Sequence, residues 1–206
     1  MKLLYSPTSP FVRKVLATAI ETGLADRITT INTAVLPTQP NDEVARENPL
    51  VKLPALTTDD GLVLYDSPVI CEYLDSLHGG TRLFPQEGAP RWIALRQQAL
   101  GDGMLEAAIL ARYEQIRPQD YQWPDWIDAQ LRKVRGALAS LEIEVAEGRL
   151  RGPLTIGHIT VCCALGYLDF RYDSENWRQK QPQLGRWYAD IADRPSMRQT
   201  EPRETK

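Results

Sequence analysis

Paired cysteines, clustered histidines and long apolar runs are all missing from this chain, and each absence closes a route to function. Its 206 residues hold three cysteines and two histidines. Three is an odd number, no C-x-x-C occurs, and each thiol stands among apolar neighbours: Cys71 in Val-Ile-Cys, Cys162 and Cys163 in Val-Cys-Cys-Ala-Leu. That excludes a disulfide framework and predicts buried free thiols. His78 and His158 lie far apart without companion ligands, so no metal site is expected. No apolar stretch approaches the length of about 20 residues that spans a bilayer. Pro7 interrupts the N-terminal region before a signal-peptide core could form, so a cytoplasmic location is expected. Net charge is only −3, which gives no electrostatic case for nucleic acid or an anionic membrane as partner. Internal repeats and low-complexity tracts are absent as well.

What is present suits one globular domain or two small ones. Hydrophobic residues make up 43% and charged residues 25%, ordinary values for a chain able to bury a core without disulfides or metal. Lys2 to Tyr5 reads as a first strand and Ser6-Pro7-Thr8-Ser9-Pro10 as a turn-rich connection. Phe11, Val12, Val15, Leu16, Ala19 and Ile20 recur at helical steps, with Gly23 as terminator. Ile28 to Ile31 is a second strand, expected to form a right-handed βαβ unit with the first. The stretch from Ala34 to Pro49 carries Pro37, Pro40 and Pro49 around a short helix at Asp42 to Arg46.

Leu53-Pro54-Ala55-Leu56 then leads into a strand, Asp60-Gly61 supplies a tight turn, and Leu62-Val63-Leu64-Tyr65 returns as a hairpin. Pro54 has no N–H to give a ladder. It therefore sits either at the strand's first position or in a cis turn before it, and in both cases the neighbouring Leu53 main chain is open to an added extended peptide. Ser67 is placed to cap the next helix and Pro68 to occupy its first turn, while Val69, Ile70, Tyr73, Leu74 and Leu77 form an apolar face. The order is β-α-β-α-β-β-α, closing near Leu77.

Residues 79–90, rich in Gly and Pro, read as a linker, and everything beyond reads as helical. Trp92, Ala99, Met104, Ala108 and Ile109 belong to a long helix that Gly101 and Gly103 are expected to bend. A second runs from Pro124 to Gly148 through Leu131, Val134, Leu138 and Leu141. Thr155 caps a third that continues through Leu168, and a fourth carries Leu184, Trp187, Tyr188 and Ile191 and ends near Pro195. The expected architecture is an α/β domain over 1–78, a linker over 79–90 and an all-helical domain over 91–206.

Ser9 follows a strand and directly precedes a helix. Its hydroxyl therefore has the positive end of that helix and several unpaired N–H groups for company, a setting that favours an anion. With no histidine partner it suits hydrogen-bond donation to an anion already bound, such as a thiolate, better than nucleophilic attack.

Four segments, in order, carry a resemblance: Thr8-Ser9-Pro10-Phe11-Val12-Arg13-Lys14, Asn48-Pro49-Leu50-Val51-Lys52-Leu53-Pro54-Ala55-Leu56, Tyr65-Asp66-Ser67, and Leu83-Phe84-Pro85. The chain resembles the soluble glutathione transferases over nearly its whole length, and within them the serine-type bacterial members. The resemblance implies a thioredoxin-like first domain, a helical second domain, glutathione as co-substrate and a homodimer. It implies that Ser9 holds the glutathione sulfur as a thiolate, that Pro54 is cis, and that the Leu53 main chain meets the cysteinyl backbone. Asp66 and Ser67 would receive the γ-glutamyl end, and Lys52 the glycyl carboxylate. Phe11, Met104 and Tyr113 are the candidate residues for an apolar electrophile pocket.

The activity this implies is conjugation of the thiolate to small electrophilic, largely apolar substrates, a detoxifying role. Rival readings are a non-enzymatic glutathione-binding or protein-interaction module of the same fold, and a glutathione-dependent reductase, which would want cysteine at position 9. Two departures from the family pattern stand out. Val51 occupies a position where many members have glycine, which predicts a stiffer loop. His158 occupies the position where aspartate usually completes a helix-capping box, which predicts a weaker cap. Tyr5 and Ser6 are alternative hydroxyls for the sulfur, Tyr5 ranking lower because it lies in the strand.

Overall fold

The structure is a computed structural model and describes residues 1–39 and 41–204. Pro40, one of the expected loop prolines, lies outside the described residues. The chain divides into two compact units. One comprises Met1–Gln86 with the segment from Pro195 onward, and the other is Glu87–Arg194. The expected helical domain over 91–206 thus loses its C-terminal stretch to the first unit, where the helix Pro195–Gln199 packs on the first helix of the chain.

The first unit is a four-stranded mixed sheet with helices. Strands β1 (Lys2–Tyr5), β2 (Thr29–Asn32), β3 (Ala55–Thr57) and β4 (Val63–Leu64) stand in the order β2-β1-β3-β4. β1 and β2 are parallel, while β1 with β3 and β3 with β4 are antiparallel. Helix α1 (Pro10–Glu21) joins β1 to β2, the short α2 (Asp42–Glu47) follows, and α3 (Ser67–Ser76) comes after the hairpin. This is the expected β-α-β-α-β-β-α order, and it is a thioredoxin-like arrangement. β2 begins one residue later than its apolar run suggests and is exposed along its whole length, as an edge strand is. Beneath the sheet, Leu3, Val12, Val15, Leu56, Ile70 and Leu74 are all at most 1% exposed. They come from β1, α1, β3 and α3, so the core forms exactly where the two periodicities point inward together.

α3 is held to the chain that follows it by one buried carboxylate. Asp75, 2% exposed, accepts hydrogen bonds from the Leu83 N–H at 2.8 Å, the Phe84 N–H at 3.1 Å and the His78 ring at 3.0 Å. Its own carbonyl accepts from Arg82. What reads in the sequence as a loose glycine-rich linker is therefore tied at residues 82–84 to the end of α3.

The second unit is helical: α4 (Gly88–Gln115), α5 (Pro124–Ala146), α6 (Ile156–Arg171), α7 (Trp177–Lys180) and α8 (Pro182–Ala192), with α9 (Pro195–Gln199) belonging to the first unit. α6 is buried continuously from Ile156 to Leu168, as befits a helix apolar all round, and α4 and α5 pack around it and one another. α4 runs as one continuous helix through Gly101 and Gly103. Gly101 has a packing role: a Cβ there would lie 2.9 Å from the Thr160 side chain, and one at Gly157 would lie 2.8 Å from Gln97. The α4–α6 approach is thus closer than any side chain at either position would permit. All three cysteines are buried, and none forms a disulfide among the described residues. No described helix is long and apolar enough to cross a membrane.

His158 corrects the weak cap expected at the start of α6. The Thr155 N–H donates to His158 Nδ1 at 3.1 Å, with the Thr155 hydroxyl 2.7 Å from the same nitrogen, and His158 Nε2 meets the Leu150 carbonyl at 3.2 Å. A neutral imidazole with its proton on Nε2 satisfies all three contacts, so the ring takes the place of the acidic side chain in the box. Burial depresses its pKa below the ordinary 6.5, against the opposing influence of the Leu150 carbonyl. Between the folded and unfolded pKa values the unfolded chain binds the extra proton. The stabilisation is therefore complete above about pH 6.5 and is lost as pH falls through the folded value. Thermal midpoints measured from pH 7.5 to 5.5 should fall more steeply for the wild type than for His158→Asn, whose amide caps without titrating.

Candidate functional site

Two helix N-termini and one bent loop of the first unit carry the residues singled out above. Ser9 is the N-cap of α1, with extended backbone (φ −82°, ψ 118°), and its Oγ accepts from the Val12 N–H at 3.3 Å. Pro10 occupies the first helical position, so no N–H is wasted there. An oxygen that accepts from the helix still carries its own proton, and the Ser9 O–H remains a donor. Ser9, Tyr5, Ser6 and Arg13 line one side of a cleft of about 150 Å³ whose other side is Gln199, Thr200 and Arg203; Lys52, Leu53, Asp66 and Ser67 do not line it. Ser6 and Thr8 hydroxyls lie 3.2 Å apart. Tyr5 is the last residue of β1, as expected. Phe11, half-buried, has the Lys14 ammonium 5.8 Å from its ring centre.

The second group is the stretch from Val51 to Ser67. The Leu53–Pro54 peptide is cis and β3 begins at Ala55, which resolves the two alternatives left by the sequence in favour of a cis turn ahead of the strand. Leu53 stands just outside the ladder, and its N–H and C=O take no partner among the described residues. Lys52 is exposed and makes no ion pair among the described residues. The Tyr65–Asp66 peptide is also cis.

At α3 the structure shifts the expected cap by one residue. Asp66 is the N-cap and Ser67 the first helical residue, with Pro68 behind it. The Asp66 side chain makes no capping bond, and Ser67 is 1% exposed. A carboxylate, a hydroxyl and first-turn N–H groups therefore meet at one helix start with hydrogen-bonding capacity unspent. Such a set suits a ligand end carrying both a carboxylate, for the N–H groups, and an ammonium, for Asp66.

The helical unit treats its two candidates differently. Met104 is 2% exposed and belongs to the packed core of that unit, the helix-packing role that its spacing also allows. Tyr113 is half-buried on the last turns of α4, and burial raises its pKa above the ordinary phenol value. Among the described residues no cluster of His, Cys, Asp and Glu is arranged to hold a metal ion. The residue that sequence reasoning passed over is Asn48, 1% exposed, whose side chain organises the loop ahead of Lys52. Its signal was visible only as an Asn-Pro dipeptide, a common loop marker.

Comparison with known proteins identifies the family. The family profile described as "Glutathione S-transferase, N-terminal domain" matches residues 8–77, and "Glutathione S-transferase, C-terminal domain" matches residues 124–190. An uncharacterized GST-like protein of Escherichia coli K12, YibF, is 34% identical over 203 residues, covering 98% of both chains. A crystal structure of a glutathione transferase family member from Pseudomonas fluorescens Pf-5, with bound glutathione, superposes with a TM-score of 0.94 at 45% identity, over 98% of this chain and 99% of that one. A second crystal structure from that organism, with bound S-(propanoic acid)-glutathione, gives a TM-score of 0.89 at 45% identity, over 99% of this chain and all of that one. With the similarity extending over both units and essentially every residue, the chain belongs to the glutathione S-transferase family.

Proposed function

We propose that the protein binds glutathione in the first unit and conjugates its thiolate to small, largely apolar electrophiles. The observation that carries this reading is Ser9. It is a helix-capping hydroxyl with its proton still to give, at the positive end of α1. A thiolate placed there gains a hydrogen bond and the field of the helix, which lowers the thiol pKa and raises the fraction of nucleophile at neutral pH. The sulfur attacks an electrophilic carbon and the C–S bond forms. Either the leaving group departs with its electron pair, or, with an activated alkene, the neighbouring carbon takes a proton. Ser9 keeps its own proton throughout.

The ends of the tripeptide would be held elsewhere. Lys52 meets the glycyl carboxylate, the Leu53 main chain pairs with the cysteinyl backbone, and Asp66 with Ser67 and the α3 N-terminus takes the γ-glutamyl ammonium and carboxylate. Phe11 and Tyr113 remain the candidates for contact with the electrophile. The relative crystallised with S-(propanoic acid)-glutathione supports a sulfur–carbon product. The reductase reading loses support twice over, since position 9 is serine and Cys71, Cys162 and Cys163 are each fully buried, leaving no accessible thiol for exchange. The role is clearance of reactive electrophiles, in a homodimer for which exposed Leu62, Val69 and Trp92 offer apolar surface.

Calorimetry with glutathione, a conjugation assay over a broad electrophile panel, and light scattering for the dimer test these points. Binding with turnover is the expected result. Binding without turnover on any electrophile favours the interaction module. Asp66→Ala should weaken glutathione binding by about tenfold or more, because a charge-assisted bond to the ammonium is lost.

A further inference from the structure

One buried side chain folds residues 48–52 into a closed loop. Asn48 Oδ1 accepts from the Leu50 N–H at 3.0 Å, and Asn48 Nδ2 donates to the Lys52 carbonyl at 2.9 Å. The Asn48 carbonyl accepts from the Val51 N–H at 2.8 Å, and its own N–H donates to the Val44 carbonyl at 2.7 Å, fastening the loop to the end of α2. Pro49 behind it favours the extended backbone that Asn48 adopts (φ −133°, ψ 109°). Within this loop Val51 has φ 52°, a left-handed conformation that a β-branched residue strongly disfavours. Glycine would adopt it freely.

A disfavoured backbone persists only where its surroundings over-determine it, and such positions gather at ligand clamps. The surroundings here are the bonds of Asn48, and the residues that follow directly are Lys52 and Leu53. We infer that Asn48 is a positioning residue for the proposed glutathione site. By bonding Leu50 and Lys52 it holds Val51 left-handed, and it thereby presents the Lys52 cation and the Leu53 main chain in their binding arrangement before the tripeptide arrives. The inference rests on the glutathione reading above. Without the Asn48 bonds, Val51 relaxes to negative φ, the next peptide turns, and the binding-competent fraction of the loop falls, lowering apparent affinity by that fraction.

The test is a four-member cycle on the full chain: wild type, Asn48→Ala, Val51→Gly and the double variant, with glutathione affinity read by calorimetry and folding checked by urea denaturation. Asn48→Ala should weaken binding about tenfold or more, raising KM for glutathione while kcat at saturation stays within about twofold. Val51→Gly alone should stay within about threefold of wild type, and the double variant should recover most of the lost affinity, because glycine holds positive φ without help. Asn48→Asp, which keeps the acceptor for Leu50 and loses the donor to Lys52, should fall between wild type and Asn48→Ala and serves if alanine does not fold. A double variant as weak as Asn48→Ala would reduce Asn48 to a general structural part and overturn the inference. So would Asn48→Ala, or Asn48→Asp in its place, binding as wild type does. A wild-type protein that does not bind glutathione would instead remove the site reading itself, and this inference with it.

Discussion

Replacing Ser9 with alanine should cut glutathione conjugation about 100-fold in kcat while changing glutathione affinity less than about threefold. The asymmetry follows from where the binding energy is proposed to come from. Lys52, the Leu53 main chain, Asp66 and Ser67 hold the two ends and the middle of the tripeptide, whereas the serine hydroxyl addresses only the charge on sulfur. Losing that donor leaves the thiol bound but more often protonated, so the pH–rate profile should also move upward, toward the ordinary thiol pKa of about 8.5. Ser9 is at the same time the cap of α1, and its loss should cost about 1 kcal/mol of stability. Ser9→Thr separates the two roles, since threonine caps and donates alike. It should restore both stability and rate. Turnover in Ser9→Ala equal to wild type would move the sulfur contact to another hydroxyl, with Ser6 the first to replace in turn.

The largest expected effect on stability lies at Asp75. Asp75→Ala removes the acceptor of the Leu83 and Phe84 N–H groups, on residues only 5% and 2% exposed, and leaves both donors buried without a partner. At about 1–3 kcal/mol for each orphaned group, the expected loss is about 3–5 kcal/mol, a large part of the stability of a unit this size. Asp75→Asn keeps one acceptor oxygen and should lose about half as much. Urea unfolding, followed by far-ultraviolet circular dichroism, reads the shift in midpoint. Hydrogen exchange should show the loss beginning at residues 82–84. Glutathione affinity measured below the unfolding range should change little, since no proposed ligand contact passes through Asp75.

The local elements were legible in the sequence because each announces itself within a few residues. Phe11 to Ile20 spell an amphipathic turn, Asp60-Gly61 a hairpin, and Ile156 to Leu168 a helix apolar on every side. The order of strands and helices followed from these, and so did the candidacy of Ser9, which needed only a strand before it and a helix after it. Where the reading slipped, the missing information was geometric. Gly101 reads in the sequence only as a place for a bend and is also a contact point, because only packing reveals that Thr160 lies where a Cβ would go. Met104 is open in the sequence to a pocket or a packing role and is core, because helical spacing gives a face without saying what covers it. His158 looked like a failed cap and is a working one, since the choice of ring nitrogen depends on the Leu150 carbonyl.

The sequence by itself determined the two-part architecture, the buried thiols outside any disulfide, the family resemblance, and the serine at the mouth of α1. These rest on periodicity, on turn chemistry and on motif spacing, all of which act along the chain. Only the tertiary structure decided that the Tyr65–Asp66 peptide is cis, that residues 195–199 join the first unit, that Asp75 ties down the linker, and that Asn48 bonds the loop around a left-handed Val51 ahead of Lys52. Those four depend on groups brought together through the fold or on a backbone state that no residue type dictates, and hydrogen bonding and packing act on distance in space rather than on position in sequence.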